Sequence, residues 1–312
     1  MNRIFCSEMR EQKSPLFVFC HIEKCGGQTL INLLRCNFGL RHIDIIPMDE
    51  TAHLAGADDI DRAMRMHRSP MSIAGHGLRP FGNYGDYAER MIWYGLLREP
   101  IARMNSDYRN DCRARGFIGH LADWAEFPHT HNFMTHALSA TGDVKEAMYT
   151  LEQRFAYFGL MEDYNAFLIG LPALFQPLAF DLRNQPRNMA ETAKIEKRLG
   201  ANAGFPMSNR DIEAARAANA DDLKLWEFAI HLKQRESVPV RVAGCSPKKG
   251  PPSAPQKLRR FVNVFWRNLI YKPSIGIAPG HVRALPRARM NARDFASKTS
   301  RRTVPEKSEK GD

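Results

Sequence analysis

The sequence predicts an α/β fold: a central, mostly parallel sheet between two helical layers, followed by a basic and largely disordered C-terminal tail. Three observations predict it. Four short apolar segments read as buried strands: "LFVFCHI" (16–22), "MSIAG" (71–75), "MIWYGLLR" (91–98) and "AYFGLM" (156–161). Segments of helical spacing or composition fall between or after them, at 28–38, 58–67, 99–110, 144–155, 162–170, 189–199 and 208–235. The composition then breaks after Glu236. Strand and helix in alternation imply right-handed crossovers, which put helices on both faces of a parallel sheet.

The boundaries follow in order. Residues 1–14 form an N-terminal extension, 15–236 the α/β domain and 237–312 the tail. A chain of 312 residues with 44% hydrophobic and 25% charged content can bury a sizeable core. Its net charge of +11 resembles a nucleic-acid binder's, but the charge is unevenly spread. From Ser237 onward 17 Lys+Arg face 4 Asp+Glu, a net of +13, which leaves −2 for the first 236 residues. The basicity belongs to the tail, so no specific nucleic-acid partner is expected. That tail holds 9 of the 19 prolines and few aliphatic residues, a composition that favours disorder. One island differs, "QKLRRFVNVFWRNLIYK" (256–272), where Leu258, Phe261, Phe265 and Leu269 share a helical face amid basic residues. Two readings stand for it: a helix that meets an anionic membrane surface or a partner, or a helix that packs back onto the domain.

No apolar stretch approaches the roughly 20 residues of a membrane span, and residues 1–15 hold no apolar segment of signal-peptide length. A cytoplasmic protein is expected, peripheral on the inner face of the membrane if the tail binds lipid. The six cysteines form no CxxC pair and no zinc spacing, so buried free thiols are the expectation.

In an open parallel sheet, ligands bind beyond the carboxyl ends of the strands. The first such loop is "HIEKCGGQTL". Gly26 and Gly27 permit close approach of backbone to ligand. The N–H groups that open the next helix favour a phosphate, Thr29 adds a hydroxyl and Lys24 a point charge. The arrangement is P-loop-like, but the pattern G-x-x-x-x-G-K-[ST] is absent and the lysine precedes the glycines. A second segment, "LLREPIARMNSDYRN" (96–110), ends a strand at Arg98 and places Ser106 eight residues on, about two helical turns. A guanidinium and a hydroxyl there suit a second phosphate. Arg103 is expected to brace its helix through an ion pair. His76, after a strand and between glycines in "AGHGLRPF", reads either as a general base or as a histidine bonded within a turn. His129, His131 and His136 complete no zinc site, and Cys25, at a helix start, reads as inert packing or as a thiol of lowered pKa.

Taken together, "HIEKCGGQTL" and "LLREPIARMNSDY" resemble the two phosphate-binding motifs of sulfotransferases that use 3′-phosphoadenosine 5′-phosphosulfate (PAPS), nearest to the heparan sulfate 2-O-sulfotransferase branch. "SIAGHG", "HNFMTHAL", "YFGLMEDY" and "DDLKLWEFAIHL" resemble further segments of that family in the same order, so the likeness spans about residues 15–235. Glu23, Cys25 and Gln28 stand where the family usually has proline, Thr or Ser, and Thr. The resemblance implies that Lys24, Cys25, Gly26, Gly27, Gln28 and Thr29 hold the 5′-phosphosulfate, with backbone N–H groups serving at Cys25 and Gln28. It implies that Arg98 and Ser106 hold the 3′-phosphate, and that Lys24 and His76 are catalytic. Arg79, Asn132 and Thr135 become candidates for the acceptor, a carbohydrate or glycolipid. PAPS is the implied co-substrate, and this chemistry calls for no metal. Two alternatives remain: a P-loop-type nucleotide kinase or phosphotransferase, and a non-catalytic relative that binds the nucleotide or a glycan.

Overall fold

The structure, a computed structural model, describes residues 14–48, 54–67, 69–183, 207–235 and 250–276. Its strands are β1 (Leu16–Cys20), β2 (His42–Asp44), β3 (Ser72–Gly75), β4 (Met91–Leu97) and β5 (Phe155–Leu160). They form one sheet in the order β2-β3-β1-β4-β5, and every neighbouring pair is parallel. β1 is central, with Cys20 in register with both Gly75 and Gly95. All five of its residues are buried. A strand covered on both faces needs apolar side chains at every position, hence the unbroken apolar run.

The helices are α1 (Gly27–Phe38), α2 (Ala57–Met66), α3 (Pro100–Arg115), α4 (Leu121–Trp124), α5 (Phe133–Leu138), α6 (Val144–Arg154), α7 (Tyr164–Leu174), α8 (Asn209–Ala218), α9 (Ala220–Arg235) and α10 (Ala254–Trp266). A wider turn at Arg267–Tyr271 carries α10 on to Lys272–Ser274. The main core gathers around the sheet, and a smaller one joins α3, α4 and α8 through Ile101, Met104, Trp124, Phe127 and Ala215. Among the described residues no helix is long and apolar enough to cross a membrane. The helix expected at 189–199 lies outside the described residues, as do Cys6, Cys245, residues 1–13 and most of the tail.

Two features depart from expectation, and a third decides between two readings. The edge strand β2 is not announced by the sequence, because two of its three residues are polar. His42 and Asp44 are buried all the same. His42 Nδ1 lies 3.0 Å from Ser72 Oγ, and the Asp44 carboxylate is bonded by Arg35 and paired with Arg267 Nε at 2.6 Å. Burial works to raise the Asp44 pKa, but Arg35, His42 and Arg267 outweigh it and hold the carboxyl well below its ordinary range. The helix expected to run through 208–235 breaks at the buried Asn219, whose Nδ2 donates to the Ala215 carbonyl at 2.8 Å. In the tail, α10 packs on α1 and on the turn before β2, as the second reading of 256–272 expects.

Candidate functional site

The order β3-β1-β4 makes neighbours of the three loops that follow these strands, at the carboxyl edge of the sheet. The loop after β1 turns through two left-handed residues, Lys24 (φ +67°) and Gly26 (φ +80°). Gly26 is the N-cap of α1, with no side-chain cap bond, so the first N–H groups of that helix are free of intrahelical partners. A left-handed lysine carries a steric cost of about 1 kcal/mol or more. It is held in place from the next strand: Arg98, just after β4, donates from Nη1 to the Lys24 carbonyl at 3.0 Å. Both glycines are required sterically. A Cβ on Gly26 would run into Met161 Sδ, and one on Gly27 would fall within the His21 ring. Gly27→Ala is therefore expected to cost about 1–3 kcal/mol, read as a lowered melting temperature. Unchanged melting would mean that the His21 ring can move aside.

His76 follows β3. Its Nδ1 lies 3.1 Å from the His21 carbonyl oxygen. A carbonyl only accepts, so Nδ1 carries a proton, and in the neutral ring the lone pair lies on Nε2. The Glu23 carboxylate stands 4.0 Å from the same Nδ1. The His76 ring, partly exposed, stacks on the buried His21 ring at 4.0 Å. Burial first, and the adjoining His76 second, push the His21 pKa well below 6.5. His21 is thus a neutral plate beneath His76.

Burial also lowers the pKa of His42, against the pull of Asp44. In the unfolded chain each of these two histidines titrates near 6.5, so the unfolded state binds more protons below that pH. Stability should be complete above about pH 6.5 and fall as the pH drops, by about 1.4 kcal/mol per pH unit for each histidine until its folded value is reached. Thermal unfolding followed from about pH 7.5 to 5 measures it. A flat profile would contradict it.

Lys24 is half-buried, and burial lowers its pKa against the pull of Asp107 on α3. The same helix face carries Arg103, which has no exposed surface, pairs with Asp107 at 3.3 Å and lies 4.6 Å over the Phe133 ring. This is the ion pair the sequence predicts, though deep in the core. Thr29 and Ser106 are half-buried, on α1 and α3, and Gln28 is exposed. Arg79 is buried, with its backbone N–H and carbonyl both bonded to the Tyr84 hydroxyl at 2.8 Å. Its Nη1 meets no acceptor among the described residues.

Three candidates turn out differently. The Cys25 thiol is buried and its pKa is pushed up to about 12, mainly by burial, so it is not an activated thiolate. Its N–H points to the Ile22 carbonyl at 3.4 Å. Asn132 and Thr135 serve architecture. Asn132 Oδ1 accepts from the N–H groups of Asp221 and Asp222 at the start of α9, at 2.9 and 3.3 Å. Asp222 returns the arrangement, its carboxylate accepting from Met134 and Thr135 at the start of α5, at 3.0 and 2.7 Å. The two helices cap each other, and Thr135 has no exposed surface. The Glu162 carboxylate accepts from the Glu99 N–H at 3.0 Å, ahead of α3. Glu99 in turn caps α3 through Ile101 and Ala102.

The sequence alone does not single out His21, Met161 or Asp222. Their importance comes from residues far away in the chain, and only the apolar context of His21 at a strand end hints at burial. Compared with known proteins, the chain matches no family model and no curated protein.

Proposed function

We propose that this chain transfers a sulfuryl group from PAPS to a hydroxyl of a carbohydrate or glycoconjugate, on a P-loop-like three-layer α/β/α domain. One observation carries the reading. The lysine-glycine loop, His76 and Arg98 come from three separate stretches of chain, yet converge after three adjacent strands and are hydrogen-bonded to one loop. Their chemistry fits a donor with phosphate at both ends. The N–H groups opening α1, with Gly26, Gly27, Gln28 and Thr29, take the 5′-phosphosulfate. Arg98 keeps guanidinium nitrogens beyond the one that holds the Lys24 carbonyl, and these with Ser106 take the 3′-phosphate. Arg79, through its unmatched Nη1, is the candidate for acceptor contact.

The transfer follows from the tautomer of His76. The acceptor oxygen attacks sulfur in line, and its proton passes to His76 Nε2. The bond from sulfur to the 5′-phosphate oxygen breaks, and the electron pair leaves on 3′,5′-phosphoadenosine. Lys24 faces the charge that builds on that oxygen, so its help grows toward the transition state. The imidazolium formed at His76 is met by the His21 carbonyl and by Glu23, which gives the unusual Glu23 a place in the mechanism.

The test is incubation of the purified chain with PAPS and a panel of glycans, following release of 3′,5′-phosphoadenosine, with calorimetric titration of that nucleotide alongside. Acceptor-dependent release is expected. Failure of the nucleotide to bind, with thermal protection by ATP instead, would replace this reading with a phosphotransferase. Nucleotide binding without release on any glycan would point to a non-catalytic relative.

A further inference from the structure

Helix α10 sits on the domain with its polar face inward. Gln256 and Asn263 are buried, and Asn263 Nδ2 donates to the carbonyls of Gly39 and His42 at 2.7 and 2.8 Å. Arg267 reaches Asp44 from the turn that follows. The apolar face points outward: Leu258, Phe261, Phe265 and Leu269 are 62%, 65%, 52% and 47% exposed, with Val262 and Ile270 exposed beside them. A helix that simply completes a core buries such a stripe, gaining about 1.5–3 kcal/mol for each large side chain. Here the bonds to Gly39 and His42 fix the rotation and leave the stripe in solvent.

Its charge says what covers it. Residues 250–276 hold five Lys+Arg and no Asp or Glu. At 100° per residue, the exposed Lys257 and Arg259 fall on opposite flanks of the stripe. We infer that α10 docks the protein on an anionic lipid surface. The stripe enters the boundary between headgroups and acyl chains, while Lys257 lies at phosphate level and Arg259, whose Nη1 donates to the Asn37 carbonyl at 3.3 Å, borders it. Residues 277–312 carry 9 Lys+Arg against 4 Asp+Glu, so the chain's own C-terminal segment is like-charged with those flanks. A second copy, docked symmetrically, would set the same basic residues against each other. The stripe lies along the β2 edge, whereas the candidate site gathers on β3, β1 and β4, and the inference stands independently of the sulfuryl-transfer reading.

Co-sedimentation of the full chain with vesicles tests it, using pure phosphatidylcholine and phosphatidylcholine with about 30% phosphatidylglycerol. Binding is expected on the anionic vesicles, weakening as salt shortens the screening length. Phe261→Glu with Phe265→Glu should lower the partition coefficient about tenfold or more with unchanged thermal unfolding, because both rings are exposed. Lys257→Glu with Arg259→Glu should weaken binding on anionic vesicles. Three results would overturn the inference. These are no binding to anionic vesicles, full binding by the double-phenylalanine variant, and a wild-type dimer in sedimentation velocity that this variant dissolves.

Discussion

For the proposed sulfuryl transfer, Lys24→Ala is expected to lower turnover about 10²–10³-fold, the usual loss when one fixed charge or donor at the reacting oxygen is removed. Alanine at this position keeps the left-handed backbone with a similar steric cost, so the change isolates the ammonium. An interaction that strengthens as charge builds on the leaving oxygen lowers kcat more than it weakens binding of 3′,5′-phosphoadenosine. Measured turnover should therefore fall by a larger factor than the nucleotide dissociation constant rises. The half-buried setting of Lys24 adds a pH signature. Its pKa lies below the ordinary lysine value because burial disfavours the charge, with Asp107 opposing. The charged form is present below that lowered pKa and lost above it, so turnover should decline at an alkaline pH short of about 10.4. Lys24→Arg, charged throughout, should remove that decline even at reduced rate. Turnover by the alanine variant equal to the unaltered protein's would sink the assigned role.

The parts legible in the sequence are those whose physics is local. β1, β3 and most of β4 are buried in a parallel sheet, which demands apolar runs, and such runs, like that of the edge strand β5, stand out in one dimension. The lysine-glycine loop is legible because left-handed turns and close backbone approach favour glycine at Gly26. β2 is hidden because its stability is not local: His42 and Asp44 are satisfied by Arg35, Ser72 and Arg267, drawn from α1, β3 and the turn after α10. Periodicity likewise finds the stripe on α10 but not its direction, which two polar residues on the other face, Gln256 and Asn263, decide. Asn132 reads as a ligand-binding residue until α9, 89 residues away, is seen resting its N-terminus on that side chain. His21 reads as the end of a strand until Gly27 and His76 are folded around it.

Arg103→Met is expected to destabilise the fold by about 3–5 kcal/mol at neutral pH, the cost of stripping one partner from buried charges. Arg103 is fully buried, and only its Nη1 finds a hydrogen-bond acceptor among the described residues. Its worth lies in two carboxylates. Asp107 pairs with it directly. Asp222 is buried with its carboxylate capping α5, and burial raises its pKa while Arg103 pulls it back down. Methionine fills similar volume, so packing alone predicts a small loss that does not depend on pH. The charge argument predicts otherwise. A carboxylate whose folded pKa is raised destabilises the fold once it ionises, as the pH rises through that pKa, and removing Arg103 raises it further. The penalty should be largest at neutral pH and shrink as the pH falls toward the carboxylate range, where Asp222 takes up its proton. Urea unfolding of both proteins at about pH 7.5 and pH 5 separates the two accounts. An equal loss at both would assign Arg103 to packing, whereas a loss that narrows on acidification identifies it as the countercharge on which the α5–α9 junction depends.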